Sequence, residues 1–148
     1  MSRTRITRSA GAALLVAVVV GAFVGQGAAA GGVPQSLVGT WTKTVKASTW
    51  AKHGITYEKA GHWVITFSKT GVLTLYQPPG NQADFVTHMS ASTAGPALAV
   101  GPTADGFCPD KAAYTWKASG KHLMIGGGIE DSCDARTILL TVGAWNRR

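Results

Sequence analysis

"LVGTWTK", residues 37–43, is the stretch of this 148-residue chain that decides its fold. From residue 37 to residue 46 the sequence interleaves threonine with valine and tryptophan. Such alternation is typical of a strand that buries one face, and it does not match the period of a helix. We therefore predict that residues 37–46 form the first strand of the folded domain.

The residues before this strand have the composition of a secretory signal peptide. A head with three arginines and no acid precedes the twelve-residue apolar run 13–24, and small residues follow up to Ala30. We predict a signal peptide over residues 1–30, cut after Ala30, and a secreted domain over residues 31–148. A membrane anchor is the alternative, but twelve apolar residues are fewer than the roughly 20 that a spanning helix needs.

The charged residues of the domain do not form a cluster that would bind nucleic acid. The signal peptide holds three of the 14 lysines and arginines and none of the seven acids, which leaves a formal charge of +4 on residues 31–148. A nucleic-acid interface gathers its basic residues on one stripe. Because the basic residues are scattered here, we interpret them as solvated surface and expect no nucleic-acid partner.

Alternation of the same kind recurs along the rest of the chain. Each alternating segment is rich in threonine, valine, isoleucine and aromatic residues and is bounded by glycine, proline, asparagine or aspartate. The seven further predicted strands are residues 62–68, 72–77, 84–91, 97–100, 112–117, 121–128 and 136–145. Residues 48–62 are the place for one irregular helical turn, since Gly54 and the β-branched residues after it disfavour a long helix.

Eight strands joined mostly by tight turns have two economical arrangements. An up-and-down antiparallel barrel leaves no exposed sheet edge, and a two-sheet sandwich is the alternative. A sandwich normally needs longer crossovers, and residues 92–106 are the one connection that could serve as such. We therefore predict an all-β, eight-stranded antiparallel barrel.

The two cysteines, Cys108 and Cys133, both fall in the predicted secreted part. In an oxidising compartment we expect them to form one disulfide. It would close a loop of about 25 residues and stabilise the fold by about 3.5 kcal/mol on the chain-entropy model. Neither cysteine has a second cysteine or a histidine at the spacing of a zinc site.

The sequence carries no motif of a known catalytic or metal centre. The four histidines stand in separate segments without a metalloprotease spacing, and no serine lies in a G-x-S-x-G turn. The acidic run 130–134 lacks the alternating oxygen ligands of a calcium loop, and Gly126–Gly128 lacks the residues of a phosphate cradle. We therefore expect a protein that is not an enzyme and has no cofactor. A haem or metal carrier that uses the histidines is the weaker alternative.

Aromatic and sulfur-containing side chains are the candidates for lining an interior cavity. In a barrel of this size part of the apolar interior can open at one mouth. Strand parity places Trp63, Ile65 and Phe67 on one side of their strand, and the same argument groups Phe85, Thr87 and Met89 on one face of theirs. Met124 would add an adaptable wall. Residues 48–57 would form a flap over the mouth, with Trp50 and Tyr57 as its ligand contacts.

The pair Gly39 and Trp41, on the first strand after export, resembles the start of the lipocalin and wider calycin superfamily. The resemblance implies an up-and-down barrel in which this tryptophan lies across the closed end. It also implies an arginine from the region of the final strand that packs on the ring, and Arg136 matches that description. Residues 112–125, followed by Cys133, Arg136 and a final tryptophan, are also similar to small secreted actinobacterial proteins of lipocalin-like type.

These observations favour a secreted, non-enzymatic carrier of a small apolar or amphipathic molecule. The alternative is an extracellular protein-interaction or inhibitor module. In that case the barrel is solid and an outer loop, residues 92–106 or 48–60, makes the contact.

Overall fold

The computed structural model describes residues 32–56, 60–77 and 85–148, with the backbone alone for Phe85 and Ile129. The predicted signal peptide lies outside these residues. Within them the chain forms eight strands and two helices. In chain order these are β1 (Gly39–Val45), α1 (Ala47–Lys52), β2 (Gly61–Phe67), β3 (Val72–Gln77), β4 (Phe85–Ala94), β5 (Ala97–Val100), β6 (Ala112–Ser119), β7 (His122–Ile129), α2 (Asp134–Thr141) and β8 (Trp145–Arg147).

The strands form a closed antiparallel barrel in which each strand pairs with its neighbours in sequence. β1 pairs along its whole length with β2, from Gly39 opposite Phe67 to Val45 opposite Gly61. On its other side β1 pairs with β8, where Trp41 lies opposite Arg147. The first and last strands therefore meet, and the predicted up-and-down barrel is confirmed.

Seven of the eight predicted strands are present, with β3 and β5 at the predicted residues. In β1 the buried residues Trp41, Lys43 and Val45 alternate with threonines that point outward, as the sequence pattern indicates. The turn between β2 and β3 is held by Ser68, whose Oγ accepts a hydrogen bond from the Val72 amide at 2.9 Å. Gly71 completes this turn with φ +79°, a conformation that favours glycine.

The prediction of one strand over residues 136–145 is wrong. Residues 134–141 form helix α2, and β8 is confined to Trp145–Arg147. Thr137 and Ile138 are β-branched and favour a strand locally, but Ile138 and Leu139 are buried together with Ala135 on one helical face. Burial of that face against the barrel overrides the local strand preference. Two signals in the sequence indicate the helix, namely Asp134 in its first turn and Gly143 just after its end.

The barrel has two different ends. The hairpin end carries the turns at residues 68–71, 95–96 and 120–121, together with the chain that leads into β1. The helix end carries α1, the segment 101–111 that joins β5 to β6, and α2. Tight turns therefore join neighbouring strands at the hairpin end, and the longer connections lie at the helix end.

Trp41 and Arg147 lock the seam between the first and last strands. The Arg147 guanidinium carbon lies 4.3 Å from the centroid of the Trp41 ring, and the Trp41 indole N–H donates to the Leu37 carbonyl at 2.9 Å. Arg147 also donates to the carbonyls of Val38 and Ser36, at 3.2 and 2.6 Å. This guanidinium therefore ties β8 to the chain that enters β1 as well as to the indole ring.

The prediction that Arg136 packs on Trp41 is wrong. Arg136 lies in α2 at the helix end, where it pairs with Asp131, whereas Arg147 of β8 occupies the position over the indole. An arginine near the end of the chain does cover Trp41, as the resemblance implies. It is Arg147 and not Arg136, because the last strand is Trp145–Arg147 and not residues 136–145.

Gly39 is required by the same arrangement. Its φ of +131° lies in a region that side-chain-bearing residues rarely adopt. A Cβ atom built on it would lie 3.3 Å from Nη1 of Arg147. The glycine two residues before Trp41 therefore leaves room for the guanidinium that covers the tryptophan.

Large side chains fill most of the barrel interior. Trp41, Trp63 and Trp145 are at most 2 % exposed, and Trp50 of α1 joins them. The other large buried side chains are Phe67, Leu37, Ile65, Leu73, Leu98, Leu123, Ile125 and Leu140. The interior is therefore a packed core rather than an open channel through the barrel.

The predicted disulfide is present and joins Cys108 to Cys133. It ties the segment 101–111 to the residue that precedes α2. Among the described residues, neither helix has the length and apolar character that a membrane-spanning helix needs.

Candidate functional site

A cleft opens at the helix end between strands β2 to β4, the segment 101–111 and helix α2. The space between its atoms, including the part open to solvent, is about 320 Å³, and the centre of a water molecule can reach about 20 Å³ of it. The residues that line it are Trp63, Leu75, Thr87, Met89, Thr103, Phe107, Cys108, Ala135, Arg136 and Leu139. Its wall is therefore mainly apolar, with a small number of polar groups.

The barrel side of the cleft comes from neighbouring strands in fixed register. Leu75 of β3 lies opposite Thr87 of β4, and both are buried. Met89 follows Thr87 on the same inward face, and Trp63 of β2 completes this side. Because residues two apart on a strand share a face, the alternation of the sequence places all of these side chains inside.

Helix α1 supports the cleft from behind. Its Trp50 packs edge-on against Trp63, with ring centroids 6.3 Å apart and planes at 65°. Trp50 is 2 % exposed, so it backs a wall of the cleft and does not lie on its rim. The predicted flap therefore contains a buried anchor, while Tyr57, its other predicted contact, lies outside the described residues.

The opposite side of the cleft is built by α2 and the disulfide. Ala135 and Leu139 face the cleft from the buried side of the helix. Cys108 holds the segment 101–111 against them, and its backbone amide donates to Thr103 Oγ1 at 2.8 Å. Phe107 of the same segment is 51 % exposed, so it is a large apolar side chain at the mouth of the cleft.

Arg136, which also lines the cleft, is held by a buried polar network. It donates to both carboxylate oxygens of Asp131, at 2.7 and 2.9 Å, and the two side chains are 2 % and 0 % exposed. It also donates to the carbonyls of Gly101 and Asp110, at 2.9 and 3.0 Å. The Tyr114 hydroxyl donates to the same Asp131 carboxylate.

This network changes the ionisation of its members. Burial raises the pKa of Asp131, but hydrogen bonds from Arg136, Tyr114 and the Cys133 amide lower it more strongly, so the carboxylate is held in its charged form. Burial, followed by the bond to Asp131, raises the pKa of Tyr114 well above its usual value. Arg136 and Asp131 are therefore a paired, neutralised unit beside the cleft.

Thr87 is a polar residue of the cleft wall that lies outside this network. Its side chain is buried, at 2 % exposure, and its Oγ1 makes no hydrogen bond of regular geometry within the described part of the chain. Asp105 of the neighbouring segment lies close enough for the Thr87 hydroxyl to affect it. Partial burial raises the pKa of Asp105, but hydrogen bonds from Thr103 and from the backbone amides at Phe107 and Asp105, together with the nearby Thr87 hydroxyl, lower that pKa more strongly.

Three predicted lining residues are not at the cleft. Ile65 and Phe67 point inward but belong to the packed core, at 0 % and 1 % exposure. The prediction for Met124 is wrong, because Leu123 and Ile125 occupy the inward positions of β7 and Met124 is 49 % exposed on the outer wall. The side chain of Phe85, the first residue of β4, lies outside the described part of the structure.

Trp63, Thr87 and Met89 are the predicted residues that the structure brings to the cleft. Leu75 was missed although its strand was identified, because parity alone does not say how far along a strand the cleft lies. Ala135 and Leu139 were missed because residues 136–145 were interpreted as a strand. Phe107 was missed because a residue in an irregular segment has no periodic pattern.

A buried lysine lies at the C-terminal end of α2. Lys43 of β1 is 7 % exposed, donates to the Val142 carbonyl at 2.8 Å and lies 4.2 Å from the centroid of the Trp145 ring. The Trp145 indole N–H donates to the Leu140 carbonyl at 3.0 Å. Burial lowers the pKa of Lys43 to about 7, while the carbonyl and the ring favour its charged form.

Residues 32–56, 60–77 and 85–148 contain no group of three or more histidine, cysteine or acidic side chains that could hold a metal ion. Comparison of the chain with protein-family models, with curated proteins and with solved structures finds no match in any of the three.

Proposed function

We propose that this chain is an exported, non-enzymatic binding protein of lipocalin-like type whose cleft takes a small apolar or amphipathic molecule. The observation that carries the proposal is the apolar cleft at the helix end, with the half-exposed Phe107 at its mouth. A concave apolar site with a few convergent polar groups is the usual form of a small-molecule site.

Export is supported by the signal-peptide pattern of residues 1–30 and by the disulfide between Cys108 and Cys133. The measurement is the intact mass of the protein recovered from the medium of an expressing culture. A chain that begins at Gly31 is the expected result. Retention of residues 1–30 on a cell-associated protein would contradict the proposed export.

The lipocalin-like assignment is supported by the seam of the barrel. Gly39, Trp41 and Arg147 have the roles that the resemblance assigns to the first-strand motif and to an arginine near the end of the chain. The helix between β7 and β8 is the feature of this barrel that the resemblance did not lead us to expect.

The size of the cleft limits the ligand. A site holds a water molecule when the centre of that molecule can move in at least about 10–15 Å³. The cleft offers about 20 Å³ by the same measure, so it admits one group of the size of water. This space therefore takes a single small group, and the rest of the ligand lies at the mouth against Phe107. A long lipid chain running through the barrel does not fit the packed interior.

The experiment is a titration of the purified protein with N-phenyl-1-naphthylamine, a neutral apolar fluorophore. We expect saturable binding that quenches tryptophan emission, because Trp63 lines the cleft and Trp50 packs on it. Ala135→Trp, which fills the cleft from α2, should abolish the quenching. Met124→Ala on the outer wall is the matched control and should bind like the unmodified protein.

An extracellular protein-interaction or inhibitor module is the second candidate, and the packed interior favours it. Phe107 projects from a segment that the disulfide fixes in place, which suits a preorganised contact with another protein. Failure of several chemically distinct apolar probes to bind would favour this candidate. A photo-crosslinking amino acid at position 107 should then capture a partner protein, whereas the same group at position 124 should not.

A further inference from the structure

We infer that the ligand of the cleft is uncharged and carries a hydroxyl group, as a small phenol or alcohol does, and that this hydroxyl binds at Thr87. The inference rests on the proposed small-molecule function and specifies its ligand class. It comes from three features of the cleft, namely an unsatisfied polar atom, the pairing of every charge in its wall, and the size of its inner space.

The unsatisfied atom is Oγ1 of Thr87. It is buried on the inward face of β4, lines the cleft and has no hydrogen bond of regular geometry among the described residues. Buried polar groups in native proteins are nearly always bonded to protein or to water. A threonine hydroxyl both donates and accepts, so the group that completes it in the cleft can be another hydroxyl.

The charges around the cleft argue against an ionic ligand. Arg136 is balanced by Asp131, and four hydrogen bonds to Asp131, Gly101 and Asp110 engage its guanidinium. Asp105 lies on the exposed side of the segment 101–111 and accepts the Phe107 amide at 3.0 Å. A charged group placed in the cleft would lose its hydration without gaining an unpaired counter-ion among the residues that line the cleft, which is strongly unfavourable.

The space that the cleft leaves for a ligand atom has the size of a hydroxyl group. About 20 Å³ is available to the centre of a water molecule, which is room for one oxygen and its hydrogens. Leu75, Met89 and Leu139 line the cleft with apolar surface, and the half-exposed Phe107 adds apolar surface at its mouth. A ligand that places its hydroxyl at Thr87 and its aromatic or short aliphatic part against the apolar wall matches this arrangement.

The test compares four compounds of similar size on the purified protein labelled with ¹³C at its methionine methyl groups. These compounds are p-cresol, toluene, benzylamine and benzoate. The Met89 methyl lies in the cleft and reports binding, whereas the Met124 methyl on the outer wall is the internal control. We expect p-cresol to shift the Met89 signal with a dissociation constant about tenfold below that of toluene, as one added hydrogen bond provides.

Variants then assign the preference to Thr87. Thr87→Val keeps the shape of the side chain. It should bring the dissociation constants of p-cresol and toluene within about twofold of each other. Thr87→Ser should restore the preference because it restores the hydroxyl. Thr42→Val, on the outward face of β1, is the matched control and should leave the preference unchanged.

Each outcome decides a different statement. Equal binding of p-cresol and toluene, or tighter binding of benzylamine or benzoate, overturns the inferred ligand class while it leaves the proposed binding function standing. A preference for p-cresol that survives in Thr87→Val overturns the role of Thr87. Failure of all four compounds to move the Met89 signal overturns the inference and the proposed small-molecule function together.

Discussion

The guanidinium of Arg147 lies 4.3 Å from the centre of the Trp41 ring, and this contact joins the last strand of the barrel to the first. The two residues are far apart in sequence and directly opposite each other in the β1–β8 ladder. An arginine over an indole contributes about 0.5–2 kcal/mol, more when water is excluded. The contact therefore stabilises the closed barrel at the place where an open sheet would begin.

We predict that Trp41 and Arg147 are energetically coupled. Arg147→Ala should destabilise by about 1–3 kcal/mol, because it removes the ring contact and the bonds to Ser36 and Val38. Urea unfolding of the single and double mutants gives the coupling energy, which should be about 0.5–2 kcal/mol. The control cycle pairs Trp41→Ala with Arg136→Ala and should be additive. A strictly additive cycle for Trp41 and Arg147 would show that their contact has no energetic role.

We predict that Gly39→Ala destabilises the protein by about 1–3 kcal/mol. Its φ of +131° strains any residue with a Cβ, and that Cβ would meet Arg147 at 3.3 Å. In an Arg147→Ala background, the destabilisation that comes from the steric contact should disappear, while the destabilisation that comes from the strained backbone remains. Gly120→Ala is the control, because its φ is also positive but no atom lies within 4 Å of the added Cβ. Its cost, measured by urea unfolding, should be the same in both backgrounds.

We predict that Arg136→Met costs about 3–5 kcal/mol at neutral pH, because it leaves the Asp131 carboxylate buried without its partner. The folded-state pKa of Asp131 is lowered, so the stabilisation from the pair is present above the unfolded pKa, near 3.9, and is lost as pH falls through the folded value. The cost of Arg136→Met should therefore shrink in acid. Denaturant unfolding at several pH values measures it, with Arg148→Met as control. A cost that does not change with pH would contradict this account.

We predict that stability rises with pH above neutrality because of Lys43. Its pKa is lowered to about 7 in the folded protein, so between that value and its ordinary pKa near 10.5 the unfolded chain binds more protons. The resulting slope is at most about 1.4 kcal/mol per pH unit for one group. Lys43→Met should remove this part of the slope in urea unfolding between pH 7 and pH 10. Lys117→Met, on the exposed side of β6, is the control and should keep the full slope of stability against pH. Equal slopes for Lys43→Met and the unmodified protein would refute the role of Lys43.

The sequence pattern was sufficient for the barrel wall because local alternation and long-range pairing agree there. Strands such as β3 and β5 have one apolar face, and a one-residue slip would turn that face to solvent. The disulfide was predictable for another reason, since two cysteines in a domain predicted to be exported leave a single intramolecular pairing.

The cleft could be predicted only in part. Trp63, Thr87 and Met89 follow from strand parity, but the unsatisfied hydroxyl of Thr87 is evident only when the hydrogen bonds around it are known. Ala135 and Leu139 line the cleft because α2 packs against the barrel. The sequence does not show this, since the β-branched residues in "TILLTV" favour a strand locally.

The sequence by itself determined the eight-stranded class, seven of the strands and the covalent link, because each depends on residues near in sequence or on the two cysteines alone. The tertiary structure decided which arginine covers Trp41, that residues 134–141 are helical, and where the cleft lies. These depend on contacts between distant segments, whose energies exceed local preferences and leave no periodic trace in the chain.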